Sequence, residues 1–316
     1  MNAIPKLDLL NFTDGSKEQK IAFVSQFGKA FEEIGFVAIA NHGVPAKMLQ
    51  ELYAQIAMFF ALPDSIKLQY DDTKGGGQRG YTGFGKEHAK NRNAGDLKEF
   101  WHFGQYIEGD AQQDAPQFPP NKIVVELPLF NTAGKDTYKA LEKTSISLLR
   151  AIALHLNLDE FYFDNKVQMG NSILRAIHYP PITSDPDDAI RAGEHEDINL
   201  ITLLVGASAD GLEVLNKQGK WVAVSQVEDH IVVNVGDMLQ RITNNQLKST
   251  THRVVNPAPS LCQFPRYSIP FFAHPRPGVR LDSLPQCISD LNPKQYPDCS
   301  ADEFLIERLR EIGLAT

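Results

Sequence analysis

From Ser172 onward the chain is written in short β-branched and aromatic runs, each closed by Gly, Pro, Asn or Asp, with no helical period between them. The runs span 172–179, 198–205, 212–215, 221–224, 231–235, 252–255 and 267–272, and Asn216-Lys217-Gln218-Gly219 reads as a hairpin loop. Seven strands without crossover helices cannot build a parallel sheet, so this half must close as an antiparallel sandwich or barrel. Helical grammar is confined to the flanks. Ile21, Val24, Phe27, Phe31 and Ile34 recur at three- and four-residue steps, as do Leu49, Leu52, Ile56, Phe59 and Phe60. Between these stripes 36–40 predicts a strand, and Pro45 suits the start of the second helix. Tyr138, Leu141, Ser145, Leu148 and Ile152 mark a longer helix, and 301–312 a last amphipathic one. The stretch 71–117 loses periodicity and reads as a long loop. The expected fold is α+β, with an N-terminal helical and loop region over 1–120 packed on a β core over 121–316.

Composition removes several classes of function. A net charge of −8 over 316 residues argues against phosphate backbones or anionic lipid as partners, so neither nucleic acid nor membrane is expected. No run approaches the roughly 18 apolar residues of a membrane helix, and Met1 to Pro5 leads into charged residues without a signal-peptide core. Cys262, Cys287 and Cys299 are too few and too irregularly spaced for a disulfide framework or a zinc knuckle and read as reduced thiols. A cytoplasmic location is the expectation.

Gly75-x-Gly77-x-x-Gly80 has the letters of a dinucleotide fingerprint, but no strand precedes it and no helix follows to receive a pyrophosphate, so it reads as a glycine loop. His195-Glu196-Asp197, followed 55 residues on by His252, is more informative. Positions i and i+2 of an extended segment share a face, so His195 and Asp197 can converge while Glu196 turns away, and His252 can close the triangle from another strand. Two neutral imidazoles and one carboxylate are the ligand set of mononuclear non-haem Fe(II), with three positions left open. Further on, Arg266-Tyr267-Ser268 places an Arg fork and a hydroxyl on one face, a pairing suited to a carboxylate.

In this order, and together with Asn41-His42-Gly43-Val44, Arg79-Gly80-Tyr81, Asp96-Leu97-Lys98-Glu99-Phe100-Trp101, His178-Tyr179-Pro180-Pro181, Asn234-Val235-Gly236-Asp237 and Pro270-Phe271-Phe272, these motifs make the chain resemble the Fe(II)/2-oxoglutarate-dependent dioxygenase superfamily, in its isopenicillin N synthase-like branch. The resemblance spans nearly the whole chain. It implies a double-stranded β-helix core, jelly-roll and cupin-like, flanked by helices. It also implies an oxidoreductase using Fe(II), 2-oxoglutarate and O2 to hydroxylate or desaturate a small molecule while 2-oxoglutarate is decarboxylated to succinate and CO2. Carried over by position, His195, Asp197 and His252 are the catalytic iron ligands, Arg266 and Ser268 hold the distal carboxylate of 2-oxoglutarate, and Tyr179 touches the same cosubstrate.

In such proteins the N-terminal region and the C-terminal segment close the mouth of the barrel. Arg79, Lys98, Trp101, Phe272 and the stretch after Pro293 are therefore candidates to meet the substrate, with Arg79 and Lys98 suiting an anionic one. A monomer is expected, with an oligomer left open. His178 reads as a hydrogen-bonded strand histidine and His42 as structural. Two alternatives remain at this level: an Fe(II) oxidase of the isopenicillin N synthase or amino-cyclopropane oxidase type that does not use 2-oxoglutarate, and a non-catalytic metal-binding β-helix module.

Overall fold

The computed structural model describes residues 4–71, 77–88, 95–107, 118–206, 210–224 and 229–311. In chain order the N-terminal part contains β1 (Lys6–Asp8), α1 (Leu10–Thr13), α2 (Lys17–Glu33), β2 (Phe36–Ala40), α3 (Ala46–Phe60), α4 (Asp64–Lys67), β3 (Gly80–Thr82) and β4 (Glu99–Phe103). There follow α5 (Pro128–His155), α6 (Asp164–Val167), β5 (Ile173–Tyr179), β6 (Ala192–His195), β7 (Ile201–Val205), β8 (Leu212–Leu215), β9 (Trp221–Ala223), β10 (His230–Val235), α7 (Asp237–Ile242), β11 (His252–Val254), β12 (Arg266–Ala273) and α8 (Ala301–Glu311). The start of α2 is set by a capping box in which the Ser16 hydroxyl accepts from the Gln19 backbone N–H and the Gln19 side chain answers the Ser16 backbone.

The strands form two sheets, an eight-stranded one in the order β1-β2-β10-β7-β12-β5-β4-β3 and a four-stranded one in the order β6-β11-β8-β9. Apart from β1, which runs parallel to β2, every paired strand is antiparallel to its neighbours. This is the double-stranded β-helix expected from the family motifs. Strand alternation divides the work of the large sheet. Leu174, Ala176, Leu203, Val205, Ile231, Val233, Ile269 and Phe271 join the apolar core that also holds Phe27, Phe31, Leu52, Phe59, Leu148 and Ile152 of α2, α3 and α5. Burying each such side chain contributes about 1.5–3 kcal/mol, which is why the helices hold one face of the sheet. The alternate positions, among them Arg175, Ile177, Tyr179, Thr202, Asn234, Arg266 and Ser268, face the small sheet across a cavity. Phe100, Ile177, Tyr179, Ala192 and Val254 close one side of it as a separate apolar cluster linking the two sheets.

Two sequence expectations need correction here. The stretch 71–117 is not wholly loop: β3 and β4 lie within it, and β4 pairs along its length with β5. All five residues of β4 are buried, so the polar positions Glu99 and His102 that broke its apolar alternation are inside the protein and hydrogen-bonded. The β half is also interrupted, by α7 between β10 and β11. The N-terminal region contributes β1 to β4 to the large sheet. Of the glycine loop, Gly75 lies outside the described residues, while Gly80 has a φ of 73° and opens a strand. No described helix is long and apolar enough to cross a membrane.

Candidate active site

β6 ends on His195 and β11 begins on His252, and the antiparallel register sets these two residues opposite each other. Their ring centroids are 4.4 Å apart. Asp197 follows two residues beyond His195, so that one potential ligand atom from each of the three side chains lies within 4.8 Å of the others. His252 Nε2 is 3.8 Å from Asp197 Oδ1.

The surroundings orient each group. His195 Nδ1 lies 2.7 Å from the Gly193 carbonyl and His252 Nδ1 3.1 Å from the Thr250 carbonyl. A carbonyl only accepts, so each ring carries its proton on Nδ1 and keeps the Nε2 lone pair for a metal. Asp197 Oδ2 accepts from Thr202 Oγ1 at 2.6 Å and from Asn234 Nδ2 at 2.7 Å. Burial pushes His195 down to about 4, with the neighbouring His252 adding to the effect. For Asp197 burial works the other way, but the two histidines and the hydrogen bonds from Asn234 and Thr202 outweigh it and hold the carboxyl below its ordinary range. Neutral imidazole at His195 and an ionised carboxylate at Asp197 are the states a divalent cation requires. The donor set therefore fits mononuclear Fe(II).

The triad borders a cavity of 70 Å³ between the sheets, whose lining includes Arg266, Ser268 and Tyr179. Arg266 and Ser268 lie two apart on β12, opposite Tyr179 and Ile177 of β5. The Arg266 guanidinium carbon sits 4.9 Å from the Tyr179 ring centroid. A second buried guanidinium, Arg191, approaches the same ring at 5.9 Å and donates to the Phe264 carbonyl at 3.2 Å. Burial, and then the charge of Arg266, lowers the Arg191 pKa. Sequence reading missed Arg191, which sits just before a strand of small and polar residues with no pattern to mark it.

A larger cavity of 410 Å³ shares Lys98, Arg175, His195, Asp197 and Phe272 with the small one, so His195 and Asp197 stand where the two meet, with His252 on the side of the small one. Its wall carries a buried charge network. Lys98 Nζ is 2.7 Å from Glu87 Oε1 and 2.8 Å from Asp96 Oδ2. Arg175 donates from Nη1 to Glu87 Oε1 at 3.1 Å and from Nε to His102 Nε2 at 2.6 Å, and its guanidinium lies 4.1 Å from the Phe100 ring centroid. Because His102 Nε2 accepts from Arg175, its Nδ1 is the donor to the Gly77 carbonyl at 2.6 Å. Burial and the Arg175 charge accordingly push His102 well below the ordinary histidine range. Asp96 also reaches β6, accepting the Gly193 N–H at 2.9 Å. Leu305, Arg308 and Leu309 of α8 form another part of the wall.

Of the four residues expected to meet substrate, Lys98 and Phe272 line this cavity and Arg79 and Trp101 do not. Trp101 points to the helix side of the large sheet, fully buried, with its ring centroid 4.9 Å from Phe59 and 5.3 Å from Phe130. Arg79 is 1% exposed, bonded to the Gln78 carbonyl at 2.7 Å and to Asn171 Oδ1 at 3.2 Å. Its guanidinium lies against Gly104, where a Cβ would come within 1.9 Å of it. Strand alternation turns Trp101 away from this cavity, and the slot beside Gly104 holds the Arg79 guanidinium away from it. The stretch after Pro293 does reach it, through α8. Arg175 was missed, although its period-two relation to Ile177 and Tyr179 marks it as facing the cavity. For Glu87 and His102, in the stretch read as loop, no such signal exists. His178 is a hydrogen-bonded strand histidine, 2.7 Å from Glu99 Oε1, and His42 Nδ1 accepts from the Val44 N–H at 3.3 Å.

Comparison with known proteins agrees with this geometry. Residues 4–126 match the family described as non-haem dioxygenase in morphine synthesis N-terminal, and residues 170–275 match the 2OG-Fe(II) oxygenase superfamily. The chain is 31% identical to the 2-oxoglutarate-Fe(II) type oxidoreductase hxnY of Emericella nidulans, over 96% of this chain and 88% of that protein. Among solved structures, a 2OG-Fe(II) oxygenase family protein from Caulobacter crescentus aligns with a TM-score of 0.86 at 39% identity, covering 99% of this chain and 100% of the other. A full-length Neurospora crassa protein in complex with alpha-KG and thymine aligns with a TM-score of 0.85 at 29% identity, covering 97% of this chain and 96% of the other.

Proposed function

The chain belongs to the 2OG-Fe(II) oxygenase superfamily and is a 2-oxoglutarate-dependent dioxygenase using Fe(II), 2-oxoglutarate and O2, and from that premise we propose that His195, Asp197 and His252 hold its iron while Arg266 and Ser268 hold the distal carboxylate of 2-oxoglutarate beside Tyr179. The observation that carries the assignment is the convergence of the three side chains within 4.8 Å, with their outward atoms already bonded to protein. Bound there, the iron centre with 2-oxoglutarate and O2 supplies the oxidising chemistry that yields succinate and CO2 and oxidises a substrate C–H bond.

The chain's own residues bind and orient. Arg266 is 2% exposed and presents a planar fork that matches a carboxylate, and the Ser268 hydroxyl adds a donor on the same face. A divalent ion, one carboxylate and dianionic 2-oxoglutarate would leave a single negative charge, which Arg266 would cancel. Thr202 and Asn234 hold Asp197 Oδ2, so the carboxylate presents Oδ1 without rotating. Ionisation is not left to solvent either: the histidine beside the carboxylate stays neutral through burial.

The larger cavity takes the substrate. We favour a small, polar molecule that is not an anion: Lys98 is balanced by Glu87 and Asp96, and Arg175 shares Glu87, so these cations of the wall are already spent on carboxylates. The thymine held by the Neurospora crassa relative is of this kind. Relatives named for 2-oxoglutarate do not favour an oxidase independent of it or a silent metal-binding module. His252→Ala is the direct test. The variant should remain folded by circular dichroism yet lose stoichiometric iron, and full iron retention would contradict the ligand assignment.

A further inference from the structure

Arg191 is a buried cation that no carboxylate answers. It is 2% exposed. Its Nη2 donates to the Phe264 carbonyl at 3.2 Å, its Nε is buried without a hydrogen-bond partner, and it forms no ion pair among the described residues. Lys98 and Arg175 make the contrast, since both are held by Glu87. The groups that act on the Arg191 charge are Arg266, Tyr179 and Cys262, none of them a carboxylate, and burial followed by the charge of Arg266 lowers its pKa. A guanidinium stays protonated at neutral pH all the same. Burying a charge without a counter-charge is costly, and a bound anion is the natural offset.

The position of this charge is fixed relative to Arg266. The Arg191 backbone N–H donates to Asn256 Oδ1 at 3.1 Å, and Asn256 Nδ2 donates to the Ala189 carbonyl at 2.9 Å, which ties the start of β6 to the segment after β11. Phe264, whose carbonyl holds the guanidinium, lies two residues before Arg266. Both guanidinium carbons approach the Tyr179 ring centroid, Arg266 at 4.9 Å and Arg191 at 5.9 Å, so two buried positive charges bear on one ring. Tyr179 and Ala192 line the small cavity and Arg191 does not. Arg191 therefore acts on what enters by its field rather than by contact, and between groups this buried the field is weakly screened.

Resting on the assignment of Arg266 and Ser268 to the distal carboxylate of 2-oxoglutarate, we propose that Arg191 is a specificity-determining residue for the cosubstrate, its charge behind Tyr179 strengthening the hold on that carboxylate. The Arg266 fork supplies the contact and Arg191 the field. The bound dianion in turn offsets the cost of burying Arg191. Arg191 thus favours a 2-oxo acid that carries a second carboxylate over one that lacks it, and leaves the metal-chelating end of the molecule alone.

The test uses the full chain, anaerobic and loaded with Fe(II), titrated with 2-oxoglutarate and with 2-oxopentanoate, and read by the visible charge-transfer band. The second probe has the same carbon chain and chelating end but no distal carboxylate. Arg191→Gln keeps a donor for the Phe264 carbonyl and removes the charge, Arg191→Met removes both, and Arg191→Lys keeps the charge without the fork. The two neutral variants should bind 2-oxoglutarate on the order of 10-fold more weakly, the effect of a unit charge at about 10 Å and an effective dielectric near 20. Their affinity for 2-oxopentanoate should change by less than about 2-fold, and Arg191→Lys should stay within about 3-fold of the native protein for both probes. An unchanged 2-oxoglutarate affinity in the neutral variants, an equal loss for 2-oxopentanoate, or an Arg191→Lys as impaired as they are would each overturn the proposal and leave the Arg266 clamp standing. Should neither neutral variant fold, Arg191→Lys decides alone: near-native binding of 2-oxoglutarate supports the proposal, and a loss on the order of 10-fold overturns it. Native affinity for 2-oxoglutarate in Arg266→Met would instead remove the assignment beneath it.

Discussion

The two ends of the joined cavity are built by different means. At the metal end every candidate ligand comes from a strand end or the residues just past it, and the atoms turned away from the centre are bonded to backbone carbonyls, Thr202 and Asn234. At the other end the wall is assembled from Glu87, Asp96, Arg175 and α8, elements far apart in the chain, and Lys98 and Arg175 are held there by Glu87 and Asp96. The first end is preorganised for one task, binding an ion of fixed charge and geometry. The second can be rewritten by changing loop and helix residues while the strands stay as they are, which is how one fold serves many substrates.

That division makes variants at the two ends separable. Arg266→Met removes the fork from the 2-oxoglutarate cavity and should raise the KM for 2-oxoglutarate by about 10²-fold, with iron stoichiometry unchanged. A shift of less than about threefold would break the assignment of the small cavity to the cosubstrate. Thr202→Val deletes one of the two donors on Asp197 Oδ2 and should weaken Fe(II) binding on the order of tenfold, read by competition with a chelator. A native-like iron affinity would show that Asn234 alone suffices. Smallest is Leu309→Ala on α8, expected to move the substrate KM by a few-fold while the 2-oxoglutarate KM and iron affinity stay put; movement of all three together would mean that the two ends are not independent.

The same division governs what could be read from the sequence. His195-x-Asp197, His252 and Arg266-x-Ser268 were legible because alternation along a strand fixes which side chains share a face, and each motif lies within three residues. Tyr179 came instead from its place before Pro180 in the family resemblance, and the register pairs it with Arg266 across β5 and β12. The substrate wall was not legible in this way. β4 is buried on both faces, so its polar Glu99 and His102 hid the strand, and the direction of Trp101 depends on which face meets the helices. β6 has only four residues, two of them Ala and Gly, and its existence depends on β11 rather than on local preference. Arg79 carried a charge that suggested an exposed binding residue, whereas Gly104 opens a buried slot for it. Ion pairs such as Glu87 with Lys98 and Arg175 join residues 11 and 88 positions apart, and nothing in either neighbourhood announces the other.

Anaerobic addition of 2-oxoglutarate to the Fe(II)-loaded protein, followed by visible absorption, tests the central claim most directly, because it requires the triad and the carboxylate clamp to act on the same two molecules. The account predicts a metal-to-ligand charge-transfer band that saturates at one equivalent, is absent in His252→Ala, and needs about 10²-fold more 2-oxoglutarate in Arg266→Met. Iron bound at one equivalent with no band at saturating 2-oxoglutarate would contradict it.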